Sequence, residues 1–131
     1  MRLCKHASEL REIRMTYRGG CHCGQIRFEV EGELSELNQC NCSLCTRTGA
    51  IHWIVNPEQF RLLTDMSKVA TYVWNTGTAR HYFCPACGIA VFRVPRRDPS
   101  KRSVNVRCIE GVDLSKLKID SFDGRNTSVV M

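Results

Sequence analysis

Apolar and polar residues alternate along residues 25–31, and this is the first clear pattern in the chain. Ile26, Phe28 and Val30 fall on one face, and charged or polar residues fall on the other. A two-residue period of this kind is typical of a half-buried β-strand. The segment is therefore predicted to be a strand whose apolar face packs on the core.

Further strand-like runs occur at short intervals, at residues 52–55, 69–74, 79–83, 89–94 and 104–109. The first of them ends at Asn56-Pro57, a cap and first-position pair that predicts a short helical turn through Phe60. Residues 75–78 read Asn-Thr-Gly-Thr and predict a hairpin turn. With only brief helical pieces near Ser43 and Asp113, the pattern predicts a mainly β, largely antiparallel domain with short helical turns.

Residues 1–14 differ from the rest of the chain, because charges are spread through them and no apolar stretch is long enough for a secretory signal. We interpret them as an N-terminal extension, either upstream of a natural start at Met15 or forming a short surface helix. Residues 15–131 are predicted to form one domain. A mean hydropathy of -0.26 and the lack of a long apolar run predict no membrane span. A cytoplasmic location is the expectation.

Seven of the nine cysteines stand in three tight groups. The groups are Cys21 with Cys23, Cys40 with Cys42 and Cys45, and Cys84 with Cys87. Gaps of one or two residues let neighbouring thiolates converge on one ion, whereas disulfide frameworks are seldom bunched so tightly. The spacing therefore predicts metal ligands.

Cys84-Pro85-Ala86-Cys87-Gly88 is a knuckle whose backbone amides can point at the thiolates. It supplies half a site, and Cys21 and Cys23 offer the other half. Four thiolates close a tetrahedral shell, so this zinc would be structural and would tie together two segments about sixty residues apart. The spacing alone leaves other divisions of the seven cysteines open.

Cys40, Cys42 and Cys45 place three thiolates within six residues and leave a fourth tetrahedral position for water or an incoming ligand. Three thiolates on Zn2+ carry a net charge of -1, which suits an exchangeable thiolate better than activation of water. We therefore predict a second, open zinc that does thiol chemistry. In the alternative interpretation a histidine closes the site, and His52 is the nearest candidate in sequence.

The other cysteines and histidines carry weaker signals. Cys108 lies in an alternating run and is predicted to be a small buried hydrophobe, and Cys4 is given no role. His22 and His81 are predicted to pack or to hydrogen-bond near a site rather than to bind metal. The zinc deaminase pattern is excluded because no His-x-Glu precedes the Cys84 pair.

The formal net charge is +6, which by itself would allow a nucleic-acid partner. Two Zn2+ add four charges and seven thiolates remove seven, so metal loading lowers the surplus to +3. No aromatic residues are interleaved with the basic ones as in single-strand binders. Nucleic acid is therefore not the favoured partner, and nothing in the pattern specifies a number of copies.

Three motifs together carry a family resemblance. Residues 19–24 (Gly-Gly-Cys-His-Cys-Gly), 40–45 (Cys-Asn-Cys-Ser-Leu-Cys) and 83–88 (Phe-Cys-Pro-Ala-Cys-Gly) resemble the glutathione-dependent formaldehyde-activating enzyme and centromere protein V family. The resemblance covers nearly everything from Tyr17 to about Phe122. It implies a β-rich, Mss4-like zinc fold with one structural zinc at Cys21, Cys23, Cys84 and Cys87.

The resemblance also implies two zinc ions per chain and a carbon–sulfur lyase activity. The second zinc corresponds to Cys40, Cys42 and Cys45, where glutathione engages the protein and formaldehyde adds to its thiol. The expected function is thus that of an S-(hydroxymethyl)glutathione synthase-like protein, with glutathione as the small thiol partner. The alternative is a noncatalytic zinc module that binds protein or nucleic acid.

Five basic residues between positions 93 and 102 allow two interpretations. They are Arg93, Arg96, Arg97, Lys101 and Arg102. Their side chains could pair with the two carboxylates of glutathione, or they could form a solvated basic loop.

Overall fold

The structure is a computed structural model that describes residues 15–74 and 77–125. The strands in these ranges are β1 (Met15–Gly20), β2 (Arg27–Gly32), β3 (Leu37–Cys40), β4 (His52–Val55), β5 (Phe60–Leu62), β6 (Ala70–Tyr72), β7 (Arg80–Phe83), β8 (Ala90–Val94), β9 (Arg102–Asn105) and β10 (Ile119–Phe122). The helical elements are α1 (Ser43–Thr48) and the 3-10 turns Pro57–Gln59, Met66–Lys68, Val106–Cys108 and Leu114–Lys116. The mainly β architecture predicted from the sequence is confirmed.

The described strands form two sheets. The smaller sheet has the order β1-β2-β5, and the larger has the order β10-β3-β4-β9-β8-β7-β6. Neighbouring strands run antiparallel except for β10 and β3, which are parallel. The prediction of a largely antiparallel fold is therefore confirmed, and the parallel pair is an addition to it.

The core lies where apolar faces of both sheets meet. Ile26, Phe28 and Val30 are buried, as their alternation predicts, and belong to the same hydrophobic cluster as Trp53 and Val91 of the larger sheet. Burial of an aliphatic or aromatic side chain of this size contributes roughly 1.5–3 kcal/mol. The alternating segment thus holds the smaller sheet against the larger one.

Two local predictions are confirmed by the structure. β4 spans His52–Val55, and the turn after it is held by Gln59, whose Oε1 accepts a 2.9 Å hydrogen bond from the backbone N–H of Asn56. β6 and β7 pair antiparallel, as expected of a hairpin, although residues 75 and 76 of its turn lie outside the described residues.

One strand differs from its prediction. The alternation over residues 104–109 indicated a strand there, but β9 ends at Asn105 and a 3-10 turn comes directly after it. The Asn105 side chain explains the change, because its Oδ1 accepts hydrogen bonds from the backbone N–H groups of Arg107 and Ile51. Val106 and Cys108 are both buried within this turn. The alternation of buried and exposed residues in the sequence therefore resembled that of a strand although the backbone is helical here.

The expected N-terminal extension, residues 1–14, lies outside the described residues, and the single domain over residues 15–131 stays a prediction. No helix in the described ranges is both long and apolar enough to cross a bilayer.

Candidate metal centres

Cys21, Cys23, Cys84 and Cys87 form one group, which we name the four-cysteine cluster. Their sulfurs all lie within 4.8 Å of one another, with 3.7 Å between Cys21 and Cys23 and 3.6 Å between Cys23 and Cys84. A tetrahedral shell with metal–sulfur bonds of about 2.3 Å has edges of about 3.8 Å. The spacing therefore fits a four-thiolate metal site and brings together the four residues grouped from the sequence.

The knuckle around Cys84 has the predicted geometry. The backbone N–H groups of Ala86 and Cys87 point at the Cys84 sulfur, at 3.3 Å and 3.4 Å, and Gly88 closes the turn with a φ of +80°. On the other segment the backbone N–H of Ile26 donates to the Cys21 sulfur at 3.2 Å. Amide donors of this kind stabilise the thiolate form that a metal requires.

Amide donors act on the more accessible part of this cluster as well. The backbone N–H groups of Cys23 and Ile89 lower the pKa of the Cys87 thiol to about 6. A thiolate at neutral pH on a half-exposed side chain can accept a divalent ion without a large deprotonation cost.

Cys40, Cys42 and Cys45 form the second group, which we name the three-cysteine cluster. Cys40 ends β3, Cys42 caps the N-terminus of α1 and Cys45 lies in the first turn of that helix. Their sulfurs lie within 4.8 Å of one another, so this group could also hold a metal ion. The Cys42 sulfur accepts from the backbone N–H of Cys45, which fixes the helix start and the thiol together.

All three thiols of this cluster are buried, with exposures of 7%, 3% and 5%. Burial opposes ionisation of Cys42, but the backbone amide of Cys45 and the neighbouring thiols outweigh it, so the pKa of Cys42 lies below its ordinary value. Burial raises the pKa of Cys45, and Arg93 acts against that rise. The cluster thus holds thiols of unequal acidity.

The wall over the three-cysteine cluster comes from the far end of the described chain. Phe122 pairs with Cys40 in the register of β10 and β3 and packs against the cluster. A Cβ added at Gly124 would lie 2.5 Å from the Cys40 sulfur, so no side chain fits at that position. Glycine here permits the chain to pass directly over the sulfurs.

His52, the candidate for closing the second site, contacts one of its sulfurs. Its Nε2 lies 3.3 Å from the Cys45 sulfur and its Nδ1 lies 3.3 Å from the Ser103 hydroxyl. It is not among the donor atoms that lie within 4.8 Å of one another in this part of the described chain. His52 is thus a neighbour of Cys45 rather than a preformed fourth ligand.

Cys45 lines two cavities that flank the cluster. One has a volume of about 260 Å3, is bordered mainly by apolar groups and includes His52, His81 and Arg93 in its wall. The other, of about 510 Å3, is more polar and also touches Cys40 and Arg107. We name them the apolar cavity and the polar cavity.

Arginines from three parts of the described chain lie in the wall of the polar cavity or contact residues of that wall. Arg107 lines it directly, and its Nε donates to the Gly49 carbonyl at 2.9 Å. Arg125 donates from Nε to the carbonyl oxygen of Asn41 at 3.1 Å, and the guanidinium of Arg97 lies 4.8 Å from the centre of the Phe122 ring. Asn41 and Phe122 both belong to the cavity wall, so the three arginines lie in or beside it, together with the carboxylate of Asp123, which accepts a 3.0 Å hydrogen bond from the Asn41 side chain.

The basic residues selected from the sequence have different surroundings. Arg93 is buried in β8, and Arg97 lies over the ring of Phe122, but Lys101 donates to the Asn56 side chain and Arg102 donates to the carbonyl oxygens of Pro99 and Lys101. Sequence reasoning missed Arg107 and Arg125. Neither follows a motif, and both reach the cavity only because β9 and β10 fold back to the cysteines.

The single residues outside the clusters behave largely as expected. Cys108 is buried in the core and burial raises the pKa of its thiol to about 12, as expected of an inert hydrophobe. His22 is exposed between two cysteines of the four-cysteine cluster. His81 lies in β7, and burial together with Arg93 lowers its pKa to about 4. Cys4 lies outside the described residues.

Comparison with known families agrees with the geometry. The family model described as "Glutathione-dependent formaldehyde-activating enzyme" matches residues 16–122. The chain belongs to this family. The matched residues include both cysteine clusters and all of the described strands except the first residue of β1.

A solved structure gives independent support for the fold. A crystal structure of a Rhodobacter sphaeroides protein is 32% identical in sequence and superposes with a TM-score of 0.74. The match covers 80% of this chain and 99% of the other. The family's fold therefore extends over most of this chain.

Proposed function

We propose that this protein is a zinc-dependent carbon–sulfur lyase that joins glutathione to formaldehyde and releases it again. The observation that carries the proposal is the position of the three-cysteine cluster, which borders a polar cavity on one side and an apolar cavity on the other through Cys45. A thiol and a small carbonyl compound could therefore meet at the cluster from different sides.

Sulfur-only donor sets in tetrahedral spacing favour Zn2+ among the common divalent ions. In this proposal the four-cysteine cluster is a closed structural site, and Cys40, Cys42 and Cys45 hold a second zinc with one position left for a thiol. When bound there, Zn2+ would stabilise the thiolate form of an incoming thiol at neutral pH. The amide donor on Cys42 supports the same charge state of the cluster.

The polar cavity is the proposed binding site for glutathione. Its volume of about 510 Å3 lies within the range of roughly 300–1,000 Å3 that is typical of small-molecule sites. Glutathione carries two carboxylates, and Arg107 and Arg125 are placed to bind such groups while its sulfur faces the cluster. They take the place of Lys101 and Arg102 as the proposed carboxylate partners, because the hydrogen bonds of Lys101 and Arg102 go to residues outside the wall of this cavity.

The chemical step needs no oxidant. The sulfur lone pair attacks the carbonyl carbon and forms the C–S bond, the π pair of the carbonyl moves to oxygen, and the proton lost by the thiol ends on that oxygen. The contribution of the chain is to hold the two reactants together, an effect that can supply several kcal/mol of the barrier. The apolar cavity beside Cys45 would exclude water from the electrophile's side.

The test combines metal counting with binding. Native mass spectrometry first establishes the number of zinc ions, and calorimetry then measures binding of reduced glutathione to the two-zinc protein and to Cys42→Ser. We expect binding to the former only, and NMR with labelled formaldehyde should show faster formation of the hydroxymethyl adduct. A two-zinc protein that binds no glutathione and instead retains DNA in a salt-sensitive way would favour the noncatalytic module.

Arginine variants locate the binding surface. Arg107→Met should weaken glutathione binding by roughly three- to tenfold, since an exposed charge-assisted hydrogen bond is worth about 1 kcal/mol. Arg61→Met serves as the matched control, because Arg61 pairs with Glu29 on the smaller sheet. Equal affinity in the two variants would contradict the assignment of the polar cavity to glutathione.

A further inference from the structure

Arg93 is a charged side chain buried in the interior of the larger sheet. It is 4% exposed, and none of its three guanidinium nitrogens has a hydrogen-bond partner among the described residues. An arginine without a counter-charge is strongly unfavourable in such a place, and an apolar residue of similar volume would serve packing better. A compensating negative charge is therefore expected close by.

The strands next to Arg93 supply no carboxylate. Its register partners are His81 on β7 and Ser103 on β9, and the described wall of the apolar cavity that it borders contains no aspartate or glutamate. Among the residues of that wall, the Cys45 thiol is the group that can supply a negative charge, and it contacts His52. Electrostatic coupling of Arg93 extends to all three thiols of the cluster.

We propose that Arg93 is the counter-charge of the three-cysteine cluster and sets its affinity for metal and for an added thiolate. The inference rests on the proposed second metal site and names a residue that acts on it from outside the ligand set. Arg93 is thus a positioning residue, since it acts through the thiolates and not on the reacting atoms.

The charge balance explains why such a residue is needed. Three thiolates on a divalent ion carry -1, and a fourth thiolate from a substrate brings the group to -2. Both states are costly inside a protein, and a guanidinium nearby brings the total to 0 and -1 respectively. The four-cysteine cluster also reaches -2, but Cys23 is exposed there and water can screen the charge.

The experiment measures zinc affinity at each site by competition with a chromophoric chelator. Arg93→Met removes the charge and keeps the length, Arg93→Lys restores the charge, and Arg80→Met removes an exposed charge from the neighbouring strand as a control. We expect Arg93→Met to weaken binding of the second zinc by roughly ten- to a hundredfold, the scale of one charge pair roughly 6–12 Å apart at an effective dielectric constant of about 20. Arg93→Lys should recover part of that loss, and Arg80→Met should bind as wild type does.

A stability measurement separates charge compensation from a packing role. In the two-zinc protein Arg93→Met should lower the melting temperature. In a Cys42→Ser background, which lacks the second metal, the same substitution should leave the melting temperature unchanged or raise it, since it removes an unpaired buried charge. A residue needed only for packing would lower the melting temperature in both backgrounds.

Two results would overturn the inference alone: unchanged affinity for the second zinc in Arg93→Met, or loss of both zinc ions together. A wild-type protein that binds no metal at the three-cysteine cluster would instead refute the proposed function and, with it, this inference.

Discussion

The four-cysteine cluster joins residues separated by 61 positions and links the end of β1 to the turn between β7 and β8. The three-cysteine cluster is contained within six residues of β3 and α1. The exposure of the thiols is the reverse of what a closed site and an open site would suggest. Cys23 and Cys87 of the four-cysteine cluster reach solvent, whereas all three thiols of the three-cysteine cluster are buried. Solvent access of the ligands therefore does not follow the division that we propose between a structural and an open site.

Sequence separation is the better guide to what each metal does for stability. An ion held by two distant segments binds the folded chain far better than the unfolded one, so its binding energy is largely folding energy. Three thiols within six residues can also approach one ion in the unfolded chain, which weakens the effect of metal on the folding equilibrium. The two clusters should thus respond very differently to loss of one ligand.

The largest effect is expected from Cys87→Ser. Cys87 is only half-buried, so the change removes a metal ligand with little loss of packing. Loss of a structural zinc removes several kcal/mol of stability, and a domain of this size has only about 5–15 kcal/mol in total. We expect a protein that has lost cooperative thermal unfolding, measured by circular dichroism, together with one of its zinc ions.

The matched control for that prediction is Cys108→Ala, a cysteine in the core that belongs to neither cluster. It should keep both metals and lose about 1 kcal/mol. If Cys87→Ser were as stable as Cys108→Ala with its metal load intact, the structural role of the four-cysteine cluster would be wrong.

Cys42→Ser should have a smaller effect on stability. Serine can still cap α1 in place of the thiol, so the helix start is retained and the loss of stability should be about 1 kcal/mol. Mass spectrometry should show one zinc per chain in a cooperatively folded protein. Global unfolding of this variant would contradict the prediction that the three-cysteine cluster contributes less to stability than the four-cysteine cluster.

Gly124→Ala tests the wall over the three-cysteine cluster. The added Cβ would approach the Cys40 sulfur to 2.5 Å, so either the end of β10 or the sulfur has to move. We expect weaker binding of the second zinc by roughly tenfold and a stability loss of about 1–3 kcal/mol, as for overpacking elsewhere. Gly111→Ala, where the added Cβ meets open space, controls for the altered backbone freedom; its positive φ adds strain without touching the cluster.

The smallest effect concerns acid sensitivity beside the apolar cavity. His81 has a pKa of about 4 in the folded protein against about 6.5 when unfolded, so the unfolded chain binds the proton first as the pH falls. The stability contribution of the neutral form is therefore present above about pH 6.5 and lost between about pH 6.5 and 4. His81→Phe should reduce the pH dependence of the free energy of unfolding over this window, as measured by chemical denaturation. The reduction in slope should be less than about 1.4 kcal/mol per pH unit because the ring is only partly buried.

An unchanged pH slope in His81→Phe would assign the acid sensitivity to protonation of the cysteine ligands instead. The lowered pKa of the Cys87 thiol, about 6 in the folded protein, predicts a loss of stability at higher pH, as the pH falls from about 9 to about 6, so its effect is distinguishable from that of His81.

Local patterns made much of this structure predictable. The alternation of Ile26, Phe28 and Val30 gives the buried face of β2, and the Cys-x-x-Cys-Gly motif at residues 84–88 gives the knuckle with its amide donors. In each case the determining interactions lie within a few residues along the chain. The short gaps between cysteines also predicted that these thiols are metal ligands, but the pairing of Cys21 and Cys23 with Cys84 and Cys87 spans about sixty positions and was one of several divisions that the spacing left open.

Long-range contacts were not predictable in this way. β10 is a four-residue strand, Ile-Asp-Ser-Phe, with no strong period, and its partner β3 lies about eighty residues earlier. The burial of Arg93 depends on strands on both sides of it, so its sequence context, next to a Pro- and Arg-rich loop, suggested a surface residue. Arg107 was part of a predicted strand, but the Asn105 cap turns it toward the polar cavity.

The parallel pairing of β10 with β3 also sets an order of events during synthesis. All seven cysteines of the two clusters leave the ribosome before the residues of β10, which emerge a few seconds after Cys87 at translation rates of about 5–20 residues per second. A nascent chain can therefore complete the four-cysteine cluster before Phe122 and Gly124 have left the ribosome. The thiols of Cys40, Cys42 and Cys45 acquire their cover last, so the newly made protein passes through a stage in which they are accessible and the rest of the sheet can already be assembled.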